Sequence, residues 1–148
     1  MDVVQSFIGT LGKLLSDVLL MEQKVIIGGK FKDLTNNDIH VIDSIGMEQP
    51  KNMTTIAREM GVTVGTLTIA MNHLVKKGYV LRARSTKDRR VVLMSLSAKG
   101  VDAYKANRRF REDMIHAAVV GLSENDLLVV EKTLVNLESF FEEHMKER

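Results

Sequence analysis

The sequence predicts a mainly α-helical chain with one small β-wing, and three observations carry that prediction. Apolar residues recur at helical spacing through most of the 148 residues. Two short alternating segments, Tyr79–Arg84 and Arg90–Leu96, interrupt the pattern. Where they meet runs "RARSTKDRRVV", with five cations and one carboxylate at what reads as a hairpin tip.

Val3 to about Ile27 is expected to form a long helix, with Phe7, Leu11, Leu14, Leu15, Val18 and Leu19 at helical spacing and Gly28-Gly29 ending it. Thr35 then stands as an N-cap, with Asp38 at the capping-box position, for a helix carrying Ile39, Ile42 and Ile45 to Gly46. "MEQPKN" reads as a turn and holds the only proline. Two short helices follow, Thr54–Met60 and about Thr63–Lys77, and then the two alternating segments. Ser97 caps a fifth helix to about Val120; Gly121 breaks the chain, and Ser123 with Asp126 offers a second capping box for a last helix. No repeat, low-complexity stretch or flexible linker is evident. One domain over 1–148 is expected, with its central motif at 35–96 and long helices at 1–30 and 97–148.

Composition narrows the function. No apolar run is expected to approach the roughly 20 residues of a membrane span, and "MDVVQSFIGTLGKLL" lacks both a basic leader region and a small-residue cleavage site. A cytoplasmic protein, with no membrane contact, is expected. The lack of cysteine rules out a disulfide framework, a zinc finger and thiol chemistry within the chain. Glu112, Asp113 and His116 share a helix face but have no second cluster to complete a metal shell, so no metal and no cofactor is expected there. No phosphate-binding glycine loop, thiol or serine beside an evident base supports catalysis, so the chain is not expected to be an enzyme. The net charge of +2 hides an uneven distribution. Residues 73–111 carry twelve cations and two anions, whereas residues 112–148 carry three cations and nine anions. A basic central third suits a localised polyanion-binding face; the alternative is a solvated charged surface.

The centre of the chain decides between these. In "TTIAREMGVTVGTLTIAMNHLVKKG", Ala57 lies four residues before Gly61, with Ile56, Met60, Val62 and Leu67 around them. A small residue at the helix crossing, a turn-tolerant glycine and locking apolar positions are what a helix-turn-helix needs. With an arginine-loaded hairpin beside it, the motif reads as winged helix-turn-helix. On the second helix Leu67, Ala70, Met71 and Leu74 form an inward stripe. Thr63, Gly65, Thr66, Thr68, Ile69, Asn72, His73 and Lys76 fall outside it. Gly65 allows close approach to the groove wall, Thr66 and Thr68 suit phosphate or base edges, and Asn72 suits bidentate pairing with adenine. Lys76 and Lys77 are placed for phosphate. The competing reading is helix capping by Thr63 and Thr66 with the rest solvated. Arg84, Lys87, Arg89 and Arg90 supply a wing suited to a narrow minor groove, with Asp88 orienting a guanidinium.

"STKDRRVVLMSLSAKG" resembles the wing of MarR-type transcriptional regulators, through Asp88, Arg89, Arg90, Leu93, Leu96, Ser97 and Gly100. "FKDLTNNDIHVIDSIG" and "VTVGTLTIAMNHLVKKGYVLRARSTKDRRVV" are similar to the FabT branch of that family, which represses fatty-acid synthesis genes. The resemblance implies a homodimeric repressor on a palindromic double-stranded DNA operator, with long-chain acyl-acyl-carrier-protein as co-repressor. His40 and Asp43 in the first of these stretches are either structural polar groups or ligand contacts.

Dimerisation also follows from the residues. Leu127, Val130, Leu134, Leu137 and Phe141 recur at spacings of three and four as a heptad-like seam. The first helix is apolar over more than one stripe. Two long terminal helices carry more apolar surface than the central motif covers, so pairing with a second copy is expected, against packing of the two ends within one chain. An acyl chain would lie among Leu15, Leu19, Ile42, Ile45, Phe110 and Met114, with the nine methionines serving either as adaptable lining or as core. Arg108, Arg109 and Arg111 are either a docking patch for an acidic carrier protein or ordinary helix-surface charges. Two further readings stay open: a MarR-type repressor released by small aromatic or lipophilic ligands, and a lipid-carrier-binding adaptor without DNA readout.

Overall fold

The computed structural model describes residues 2–27 and 29–146; Gly28, half of the expected glycine stop, lies outside them. Six helices and three strands are found among the described residues. They are α1 (Val3–Ile27), α2 (Asn36–Ile45), β1 (Lys51–Asn52), α3 (Met53–Met60), α4 (Val64–Lys76), β2 (Val80–Arg84), β3 (Val92–Leu96), α5 (Ala98–Val119) and α6 (Glu124–Lys146). The expected class, mainly α with a small β-wing, is the one observed. Contacts gather the chain into two compact units, residues 1–110 and 111–148, with the boundary inside α5.

Local chemistry explains where the helices start. Thr35 Oγ1 accepts the Asp38 N–H at 3.2 Å while Asp38 Oδ2 accepts the Thr35 N–H at 3.0 Å, completing the capping box of α2. Ser123 and Asp126 make the same exchange before α6, at 2.9 and 3.2 Å. Gly61 takes the left-handed conformation, φ 67 and ψ 30, that turns α3 into α4. Ala57, one helical turn before Gly61, is buried and small enough for the helices to cross closely.

The core of the first unit gathers Ile39, Val41, Ile42 and Ile45 of α2, Ile56 of α3, and Leu67, Met71 and Leu74 of α4. Each such side chain contributes about 1.5–3 kcal/mol on leaving water. Tyr79, Val80 and Met94 extend the same core under the hairpin.

Two expectations need correction. The turn "MEQPKN" ends in a strand: β1 pairs antiparallel with β3, Lys51 opposite Met94 and Asn52 opposite Leu93, giving the sheet order β1-β3-β2. A two-residue strand is too short to show alternation in sequence. Asn52 also accepts the Thr55 N–H at 2.8 Å, so α3 begins at Met53, one residue earlier than expected. The second correction concerns α1. Val3–Glu22 is long and apolar enough to cross a membrane by length and composition alone. Ser6, Thr10, Lys13 and Asp17 interrupt the apolar pattern, which hides its length in the sequence. The apolar residues Val3, Phe7, Ile8, Leu14 and Leu20 are largely exposed on this chain.

Candidate nucleic-acid interface

The buried stripe of α4 is Leu67, Met71 and Leu74, which turns Gly65, Thr66, Ile69, Asn72, His73 and Lys76 outward. Thr63 is the N-cap: its Oγ1 accepts the Thr66 N–H at 3.1 Å and donates to Thr66 Oγ1 at 2.9 Å. The capping reading of Thr63 is therefore the observed geometry, and Thr66 keeps its own O–H for an outside acceptor. The Thr68 hydroxyl instead donates to the Val64 carbonyl at 2.7 Å, so its proton is used within the helix.

Two further expectations change. Asn72 Oδ1 accepts from Arg82 Nη2 at 2.6 Å, which occupies the acceptor that bidentate pairing with adenine requires. Lys77, expected at phosphate, turns inward: its ammonium donates to the Asp33 carbonyl at 2.6 Å and to Asp38 Oδ2 at 3.0 Å. Lys76 stays exposed. Arg82 is a site residue the sequence reading missed. Its signal was the i, i+2 spacing from Arg84, which puts both on one face of β2.

The wing tip, residues 85–91, is closed by its own hydrogen bonds. The Ser85 N–H donates to the Val91 carbonyl at 2.9 Å and the Val91 N–H to the Asp88 carbonyl at 3.0 Å. Arg84 Nη1 donates to the Arg89 carbonyl at 2.9 Å, bracing the hairpin across its neck. Asp88 accepts from the Arg90 main chain at 3.0 Å, from Arg90 Nε at 3.2 Å and from Arg90 Nη2 at 3.3 Å. These bonds, above all those from the Arg90 side chain, hold the Asp88 carboxyl below its ordinary range. The Arg90 side chain is 91% exposed, so its orientation is set while its outer face stays open. Lys87 and Arg89 are exposed beside it. Two elements thus present complementary chemistry: a small-residue polar helix face and a cationic finger.

A polar knot ties the start of β2 to the segment before α2 and to the start of α5. The buried Tyr79 donates its O–H to Asp33 Oδ1 at 2.6 Å, and the Lys99 ammonium lies 4.2 Å from the Tyr79 ring centroid. Burial and the adjoining carboxylate push the Tyr79 phenol upward, so it remains a donor at neutral pH. The same bond holds the Asp33 carboxyl below its ordinary 3.8. A lowered carboxyl adds stability that is present above its unfolded value and lost as pH falls through the folded value. Tyr79→Phe is expected to cost about 1 kcal/mol at neutral pH, the low end because water reaches the half-exposed carboxylate. It should also flatten the acid limb of a urea-midpoint series below about pH 4. A variant that loses stability on acidification as steeply as the parent would exclude this role for the bond.

The remaining expected positions are placed as follows. Ile42 and Ile45 are enclosed in the core, whereas Leu15 and Leu19 on α1 are 57% and 52% exposed. Phe110 is half-buried in the first unit, and Met114 is half-buried in the second. Asp43 accepts from Asn107 Nδ2 at 3.1 and 3.3 Å, tying α2 to α5, while His40 is exposed. Arg108 donates to the Tyr104 hydroxyl at 3.3 Å. In the second unit, Leu127, Val130, Leu134, Leu137 and Phe141 share one face of α6, as the heptad spacing predicts, with Glu131, Glu138 and Glu142 beside them.

Comparison with known proteins bears on this geometry. Residues 34–92 match the sequence profile of the MarR family. The chain is 30% identical over 100 residues to the transcriptional regulator SarZ of Staphylococcus haemolyticus, covering 68% of each protein. It is 39% identical over 70 residues to SarZ of Staphylococcus saprophyticus, a match spanning 47% of this chain and 48%, about half, of that relative's length. Among solved structures it is similar to Streptococcus pneumoniae FabT in complex with DNA, at 35% identity and a TM-score of 0.87, covering 95% of this chain and 98% of FabT.

Proposed function

Because the chain belongs to the MarR family of winged helix-turn-helix transcriptional regulators, we propose that it is a homodimeric repressor of fatty-acid synthesis genes, acting in the cytoplasm. It binds a palindromic DNA operator, with long-chain acyl-acyl-carrier-protein as co-repressor. The observation that carries DNA binding is the wing tip. Arg90 is oriented by Asp88 yet open to an outside partner, and α4, bonded to the same hairpin through Asn72 and Arg82, turns glycine, threonine and amide groups outward. The fatty-acid assignment rests on the likeness to FabT, and dimerisation on the exposed apolar residues along α6 and α1. In such a dimer two recognition helices sit about 34–36 Å apart on one face of the duplex.

Selection of bound fragments from random DNA, with and without acylated carrier protein, tests the whole reading. A palindrome whose affinity falls steeply with salt is expected, and the long-chain acylated carrier, but not the unacylated form, should tighten binding. Loosening by small aromatic acids would point to a repressor released by such ligands. Carrier binding without any enriched DNA would point to an adaptor module.

A further inference from the structure

We propose that Ile69 and Asn72 together read one thymine in the major groove, with Arg82 as the positioning residue. This rests on the DNA-binding reading above and narrows it to a single base. Ile69 is 64% exposed in the middle of the outward face of α4, flanked by Gly65, Thr66, Asn72 and His73. A lone exposed isoleucine is ordinary; its setting is not. Helical side chains lean toward the N-terminus, over the residue four positions earlier. For Ile69 that residue is Gly65, where even an added Cβ would meet nothing nearer than Thr63 Oγ1 at 4.0 Å. The Ile69 methyls therefore stand uncovered over a bare turn, in the N-terminal half of α4, the half that approaches base edges.

Asn72 is three residues further along the same face. Its Oδ1 accepts from Arg82 Nη2 at 2.6 Å. A guanidinium only donates, so the amide oxygen is the atom that must face it, and Nδ2 is left as the outward group. The face therefore offers an apolar group and an N–H donor side by side. Thymine is the base that sets a methyl group next to an acceptor, its C5 methyl and O4. Guanine offers acceptors without a methyl, cytosine a donor, and adenine a donor beside its acceptor.

The probe is the duplex that this protein itself selects from random DNA, with each thymine replaced in turn by deoxyuridine, which lacks only the methyl. At one symmetry-related pair of positions, deoxyuridine should weaken binding about three- to fivefold per half-site, the worth of one buried methyl. Ile69→Ala should lose the same factor on the thymine duplex and become insensitive to deoxyuridine there. Arg82→Leu should let the Asn72 amide turn, raising the relative affinity for adenine at that position. Tight, salt-dependent binding with every deoxyuridine neutral overturns the proposal, as does a full deoxyuridine effect retained in Ile69→Ala. If no duplex is enriched and no salt-sensitive binding is measured, the DNA-binding reading itself fails, and this inference fails with it.

Discussion

Gly100→Ala is expected to lower the unfolding free energy of the protein by about 3 kcal/mol. Gly100 lies in the first turn of α5 and is buried. A Cβ there would stand 2.1 Å from the Tyr79 carbonyl oxygen, 3.1 Å from its carbonyl carbon and 3.2 Å from Leu96 Cβ. The two nearer atoms are main chain and cannot rotate aside. The same carbonyl already accepts the Ser97 N–H at 3.0 Å, so moving it breaks the bond that seats the start of α5. Alanine's better helix propensity, about 1 kcal/mol, offsets only part of the clash. Urea unfolding at neutral pH provides the measurement. A midpoint equal to or above that of the parent would show that α5 and the start of β2 do not approach each other this closely.

The second large effect is on binding. Arg90→Ala is expected to weaken the selected operator about a hundredfold, roughly tenfold for each copy in a dimer, and to reduce the salt slope by about two. The guanidinium is held by Asp88 through Nε and Nη2, so little ordering entropy remains to be lost on entering a groove. Asp88→Ala leaves the charge but frees the side chain, and a loss of only severalfold is expected. The exposed position of Arg90 means that Arg90→Ala should not move the thermal midpoint appreciably. Undiminished operator affinity in Arg90→Ala would remove the wing from the DNA-binding surface.

Features governed by neighbours within four residues were legible in the sequence. The Thr35–Asp38 and Ser123–Asp126 capping boxes and the left-handed Gly61 are set by short-range chemistry, and they stand where the pattern puts them. The inward stripe of α4 was legible for the same reason. Pairings across long chain separations were not. Lys76 and Lys77 look alike in sequence, yet Lys77 reaches partners 39 and 44 residues away and is tied up by them. The Arg82–Asn72 bond joins a strand to a helix face, and only the packing of β2 beside α4 brings the two within reach. β1 is two residues long and is defined by its partner rather than by any pattern of its own.

That short strand has a mechanical consequence. Asn52 is paired at the base of the finger through Leu93 and also caps the first turn of α3 through Thr55. Torque applied to the hairpin is therefore delivered to the helical pair rather than absorbed in a slack joint. The chain's grip on a duplex should let go in one concerted step, with no intermediate in which the hairpin has peeled away while α4 stays seated.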